Sequence, residues 1–293
     1  MGDFHGLPTG ILENEFIRLE YLTTSGPRIV RFSLRSQPNV LAELPDIQIP
    51  TSLGPYNIRG GHRLWCAPES PISSYAPDDA GLKVEELEAG VRLTGPAEPA
   101  TGIVKVMEIR LSPGRSAVTV QHQLHNNGRQ SFTLAPWAIT MLPRGGTAIL
   151  PQPVWNPDAL GLLPNRILAL WPYSHIQDTR LTLRDDFILI QAISNPAHFK
   201  IGYYDPVGWL AYWNAGSLFR KTFEIIPPGA YPDGGCNVEV YCDNNVIELE
   251  SLGGLTPIKP GQSAHFKETW ELYESLEQSF LPEGNWLGDT SRN

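Results

Sequence analysis

Glycine and proline interrupt this 293-residue chain 27 times each, and they fall between short apolar stretches along almost its whole length. Proline lacks a backbone donor and glycine weakens a helix interior, so punctuation this dense leaves little room for helices of ordinary length. It suits short strands joined by turns. Residues 103–111 and 117–124 alternate with strand period, and Val118, Val120, His122 and Leu124 share one face. Asn126-Asn127-Gly128 then predicts a hairpin turn into a returning strand over 131–142. The same pattern predicts strands over 13–22, 28–34, 40–44, 82–88, 90–94, 187–192, 198–204, 209–213, 218–225, 237–242, 246–252 and 264–273. Prolines make 68–79 and most of 143–172 loop, and 271–279 is the one stretch read as a short helix. No repeat, linker or charge block divides the chain. The expectation is one all-β domain over 1–293, a large antiparallel two-sheet sandwich.

The net charge of −9 argues against a nucleic-acid partner and against an anionic membrane surface. Three cysteines, Cys66, Cys236 and Cys242, form no pairing framework or metal set, which fits a reducing compartment. No basic segment followed by an apolar run opens the sequence, and a cytoplasmic protein is expected. Phosphate-binding glycine loops, His-Glu-x-x-His and Gly-x-Ser-x-Gly do not occur, so no cofactor or metal is expected.

Arg59-Gly60-Gly61-His62-Arg63-Leu64-Trp65-Cys66-Ala67-Pro68-Glu69 concentrates polar chemistry around two glycines. Arg59 and Arg63 offer planar donor forks, Trp65 a stacking face, and Glu69 an acceptor. His62 is the histidine whose setting best suits a functional role, with His175 a weaker candidate on a loop. His122 reads as a core histidine. The bland alternative for the whole stretch is a tight turn with Trp65 in the core. Glu248 and Glu250 alternate on one strand face, where two neighbouring carboxylates repel and one can serve as a general base. The competing view of that face is plain solvation. Asp233, in a Gly-rich turn, and Glu239, on the following strand, are further hydroxyl acceptors, although an Asp in a turn often bonds its own backbone. Trp137 faces away from Leu134 and Thr140 and is a candidate stacking surface.

Taken in order, these segments resemble the galactose mutarotase-like superfamily, which includes aldose 1-epimerases and hexose-6-phosphate mutarotases. Arg59-Gly60-Gly61 is similar to the Arg-Gly-Gly segment of the phosphosugar branch, and Leu249-Glu250-Ser251 to the strand that supplies the general base in the aldose branch. Lys259-Pro260-Gly261-Gln262 and Phe266-Lys267-Glu268-Thr269-Trp270 resemble the family's closing turn and strand. The resemblance runs from about Asn14 to Leu272 and implies a β-supersandwich with a sugar groove over one sheet. It implies a small-molecule sugar or sugar phosphate as partner, Glu250 as base and Arg59, Arg63, Trp65, Glu69, Trp137, Asp233, Glu239 and Glu248 as substrate contacts. Mutarotases carry an acid histidine on the strand matching 134–142; this chain has Trp137 and Thr140 there, which leaves His62 as the expected acid. Two functions remain open, an anomer-exchanging isomerase and a carbohydrate-binding module or sensor without chemistry.

Overall fold

The computed structural model describes residues 2–35, 37–227 and 229–274. Among these residues the strands form an 11-stranded sheet, a 10-stranded sheet and a two-stranded hairpin. Six strands in the first sheet lie in the order Arg28–Leu34, His62–Ala67, Phe132–Pro143, Val246–Leu252, Val238–Cys242, Phe199–Tyr203. The second sheet sets Trp209–Asn214, Ser217–Phe223, Ser263–Tyr273, Ala117–Asn126 and Ile103–Leu111 side by side. Their facing sides close on one apolar core, to which the first sheet gives Leu64, Ala138 and Leu249 and the second Val118, Leu210, Phe266 and Trp270. Each fully buried side chain of this size contributes on the order of 1.5–3 kcal/mol. Among the described residues no helix is long and apolar enough to cross a membrane.

The all-β expectation holds, and several strands match their sequence bounds, among them Arg28–Leu34, Ile103–Leu111 and Val246–Leu252. The Asn126-Asn127-Gly128 hairpin does not form. Ala117–Asn126 pairs with Ile103–Leu111 and Ser263–Tyr273, whereas Phe132–Pro143 crosses to the other sheet and pairs with His62–Ala67 and Val246–Leu252. Asn126 makes this crossing. Its side-chain oxygen accepts the Gly128 N–H at 2.9 Å, and its amide donates to the carbonyls of Gln130 (2.7 Å) and Ile258 (2.9 Å). The strand expected over 13–22 breaks at Asn14, whose side chain accepts the N–H groups of Phe16 and Ile17, giving Leu7–Glu13 and Ile17–Leu22. In place of a short strand over 40–44 followed by a loop, Glu43–Thr51 and Gly54–Gly60 form the separate hairpin. The helix expected over 271–279 begins on residues that finish Ser263–Tyr273, and 275–279 lie outside the described residues.

Candidate functional site

Strand alternation decides which side chains meet. On Val246–Leu252, Glu248 and Glu250 point to the outer face of the first sheet, while Ile247, Leu249 and Ser251 point into the sandwich. Cross-strand pairing extends this division. One row on the outer face runs Arg63, Ile139, Glu250, Glu239, and the next runs Met141, Glu248, Tyr241, Lys200. Strands spaced about 4.8 Å apart therefore hold the Arg63 and Glu250 backbones about 10 Å apart, with one strand between them.

Over this face lies a cleft of about 580 Å³. The 43–60 hairpin walls one side with Leu44, Ile47, Ile49 and Ile58, and Trp65, Tyr75, Trp137, Trp171, Tyr173 and Tyr241 line the remainder with aromatic surface. Trp65 and Trp137 meet edge to face with ring centroids 5.5 Å apart. Among these aromatics stand two ion-paired cations. Arg63 donates to Glu248 at 3.0 Å and lies 4.2 Å from the Trp65 ring centre. Lys200 is 2.6 Å from Glu239 and 2.9 Å from Glu250, and sits 4.6 Å from both the Trp137 and the Trp171 ring centres. The Trp137 indole N–H donates to the same Glu250 oxygen at 2.7 Å, and the other oxygen of Glu250 is buried without a hydrogen-bond partner among the described residues. Burial pushes Glu239 well above the usual carboxylate range, with Lys200 only partly offsetting it. Glu248 is raised by burial despite Arg63. Burial alone would lower the Lys200 ammonium, but Glu250 and Glu239 overcome it and raise it above its ordinary value. At the rim, His198 Nδ1 and the Tyr241 hydroxyl are 2.5 Å apart, and Asp243 lies beyond.

The cleft brings together Glu250, Glu248, Arg63, Trp65, Trp137 and Glu69, six of the residues singled out in the sequence. Glu239 is fully buried beside them, with Lys200 between it and Glu250. Four others are elsewhere. Arg59 is held by Asp78 and Asp79 away from the cleft lining. Asp233 is an exposed turn residue at φ 52°, its carbonyl accepting from Cys236. The expected acid, His62, is fully buried on the opposite face of the sheet, because adjacent strand residues face opposite ways and Arg63 faces the cleft. His175 is exposed on its loop.

Behind the sheet, His62 Nδ1 is 2.8 Å from the Thr140 hydroxyl, and its Nε2 stands 4.0 Å from Glu268. Glu268 also takes His122 at 3.3 Å, Lys221 at 2.8 Å, Trp270 N–H at 3.1 Å and the Ser251 hydroxyl. The ligand atoms of His62, His122 and Glu268 lie within 4.8 Å of one another, close enough to share an ion. Lys221 already neutralises that carboxylate, and a divalent ion would add a second cation beside it, so the cluster reads as an internal ion pair with its supports.

The signal for Lys200 was present in the sequence. It is a lone ammonium between Phe199 and Ile201 on an apolar strand, a position that has to be paired. The hairpin wall left no comparable trace.

No protein-family model and no curated protein matches the sequence. Solved structures do match. A galactose mutarotase-like protein from Lactobacillus casei superposes with a TM-score of 0.61 over 91% of this chain and 100% of that one, at 10% identity. A candidate aldose 1-epimerase from Escherichia coli gives a TM-score of 0.58 over 92% and 100%, at 10% identity. A TPR-domain containing protein from Parabacteroides distasonis gives 0.62 at 15% identity, over 92% of this chain and 48% of that one. At such identities the likeness is one of fold. The chain has the galactose mutarotase-like fold, a β-sandwich of two large antiparallel sheets.

Proposed function

We propose that the cleft binds an aldose and exchanges its anomers, with Glu250 as the proton acceptor. The observation that carries this reading is Glu250 itself, a carboxylate on an aromatic-lined floor, with one oxygen held by Lys200 and Trp137 and the other without a partner among the described residues. Aromatic faces suit the apolar sides of a sugar ring, and the flanking charged groups suit its hydroxyls. In the reaction, Glu250 takes the proton of the anomeric hydroxyl, the C1–O5 bond breaks as C1=O1 forms, and O5 gains a proton. After rotation about C1–C2, the O5 hydroxyl attacks the other face of the carbonyl, and the protons return. The donor to O5 has to stand on the cleft side of the sheet. Among the lining residues His198, hydrogen-bonded to Tyr241, is the histidine that does so.

Anomer interconversion of an aldose panel, followed by NMR, tests the proposal. Glu250→Gln is expected to lower the catalysed rate by about 100-fold or more, in the range of general acid–base effects. Wild type and Glu250→Gln both relaxing at the buffer rate would remove the enzymatic role. A second reading, binding without turnover, is favoured by the burial of His62 behind the sheet. Saturable sugar binding with no change in anomerisation rate would select it.

A further inference from the structure

We infer that the sugar taken by this cleft carries no anionic group, an inference that rests on the sugar-binding reading above. A phosphate or carboxylate ligand needs a cation with charge to spare. Among the described lining residues the permanent cations are Arg63 and Lys200, and neither has any. Arg63 is 3.0 Å from Glu248, and its side chain is 4% exposed. Lys200 has Glu239 at 2.6 Å and Glu250 at 2.9 Å, with the Trp137 and Trp171 rings on two sides. Its ammonium donors are already directed at carboxylates and ring faces. The remaining charged lining residues, Glu69 and Asp243, are acidic, and the third basic side chain, His198, holds Tyr241 through Nδ1 and is the proton donor proposed above, not a permanent cation. The nearby guanidiniums do not help. Arg59 is bound to Asp78 and Asp79, and Arg28 donates to Asp78 at 3.1 Å.

A dianionic phosphate therefore meets four lining carboxylates against two cations, each already paired with one of them. Like-charge contact in a partly desolvated cleft excludes a ligand more strongly than any one hydrogen bond attracts it. A hydroxyl has no such difficulty. It carries no charge, and it can donate to a lining carboxylate while accepting from a lining cation. A phosphate dianion can only accept.

The test is a titration of wild-type protein with glucose and galactose and with the 6-phosphate of each, with inorganic phosphate as competitor. The unphosphorylated sugars are expected to bind at least tenfold more tightly than their phosphates, and inorganic phosphate not to displace them. Glu248→Gln leaves the Arg63 charge uncompensated, and should narrow the gap between each sugar and its phosphate several-fold. Equal or tighter binding of a 6-phosphate to wild type overturns the inference and leaves the sugar-binding reading standing. Failure of all four ligands to bind overturns both. The wild-type comparison decides even if Glu248→Gln does not fold.

Discussion

Lys221 is fully buried between the two sheets, and its charge is answered by one carboxylate. Its ammonium also reaches the carbonyls of Ala138 and Leu249, each at 3.3 Å. Glu268→Gln would leave that cation unpaired in the core, and is expected to cost about 3–5 kcal/mol in denaturant unfolding. The pH dependence follows from the same cluster. Burial alone would raise the Glu268 carboxyl, but Lys221 and His122 overcome it and hold it well below its ordinary 4.5. A depressed carboxyl stabilises the fold fully above the unfolded value, and the contribution is lost as pH falls through and below 4.5. Burial, and next His122, lowers His62 well below 6.5, so below that pH the unfolded chain binds a proton that the fold refuses. Both effects act in one direction. Glu239 and Glu248, raised by burial, act the other way, so the check is a comparison of variants: His62→Gln is expected to lose less thermal stability than wild type between pH 6.5 and 4.5. An unchanged pH slope in His62→Gln would contradict the His62 assignment.

Among the elements, the Gly60–Gly61 corner joins the hairpin wall of the cleft to the strand that carries Arg63. Both residues have positive φ, 81° and 67°, and a Cβ would collide with the Ala42 carbonyl oxygen at Gly60 and the Ile29 carbonyl oxygen at Gly61. Gly61 is wedged there by its N–H to Ala42 (2.9 Å) and its carbonyl to Met141 N–H (2.8 Å). Gly61→Ala is expected to destabilise by more than about 1 kcal/mol, since the native φ is unfavourable for alanine. Calorimetry checks this, and loss of sugar binding beyond that expected from unfolding would show that the corner also sets the Arg63 strand. The sequence made this corner legible as glycine-rich, but the same cue hid the strand that follows. Once His62–Ala67 is read as a strand, simple alternation separates His62 from Arg63. The 246–252 strand was legible because Ile247-Glu248-Leu249-Glu250 alternates, and it placed Glu248 and Glu250 together on the cleft face. Pairing between distant strands has no local signature. Nothing near Asn126 announces that the next strand will leave the sheet, because the outcome depends on a better partner more than 130 residues away, Ser263–Tyr273.

At the scale of the whole molecule, the strands of both sheets contribute to one continuous core, in which Ile17 and Trp270 belong to the same cluster. Chain-distant pairings such as Ala117–Asn126 with Ser263–Tyr273 tie the first half of the chain to the last. Unfolding is therefore expected as one cooperative transition, with tryptophan fluorescence and far-ultraviolet dichroism giving the same midpoint. Two separated transitions would show that the chain divides into independent units. Fold class was legible at this scale because glycine and proline spacing excludes the alternatives, whereas sheet membership was not.

The alternation of Val246–Leu252 also makes this strand a natural unit for engineering. Positions 248 and 250 meet whatever enters the cleft, and positions 247, 249 and 251 meet only protein. A combinatorial library confined to position 248, with Glu250 kept as the proposed proton acceptor and 247, 249 and 251 held fixed, would search specificity while leaving the hydrophobic scaffold intact. The converse library would search thermal tolerance and leave selectivity alone.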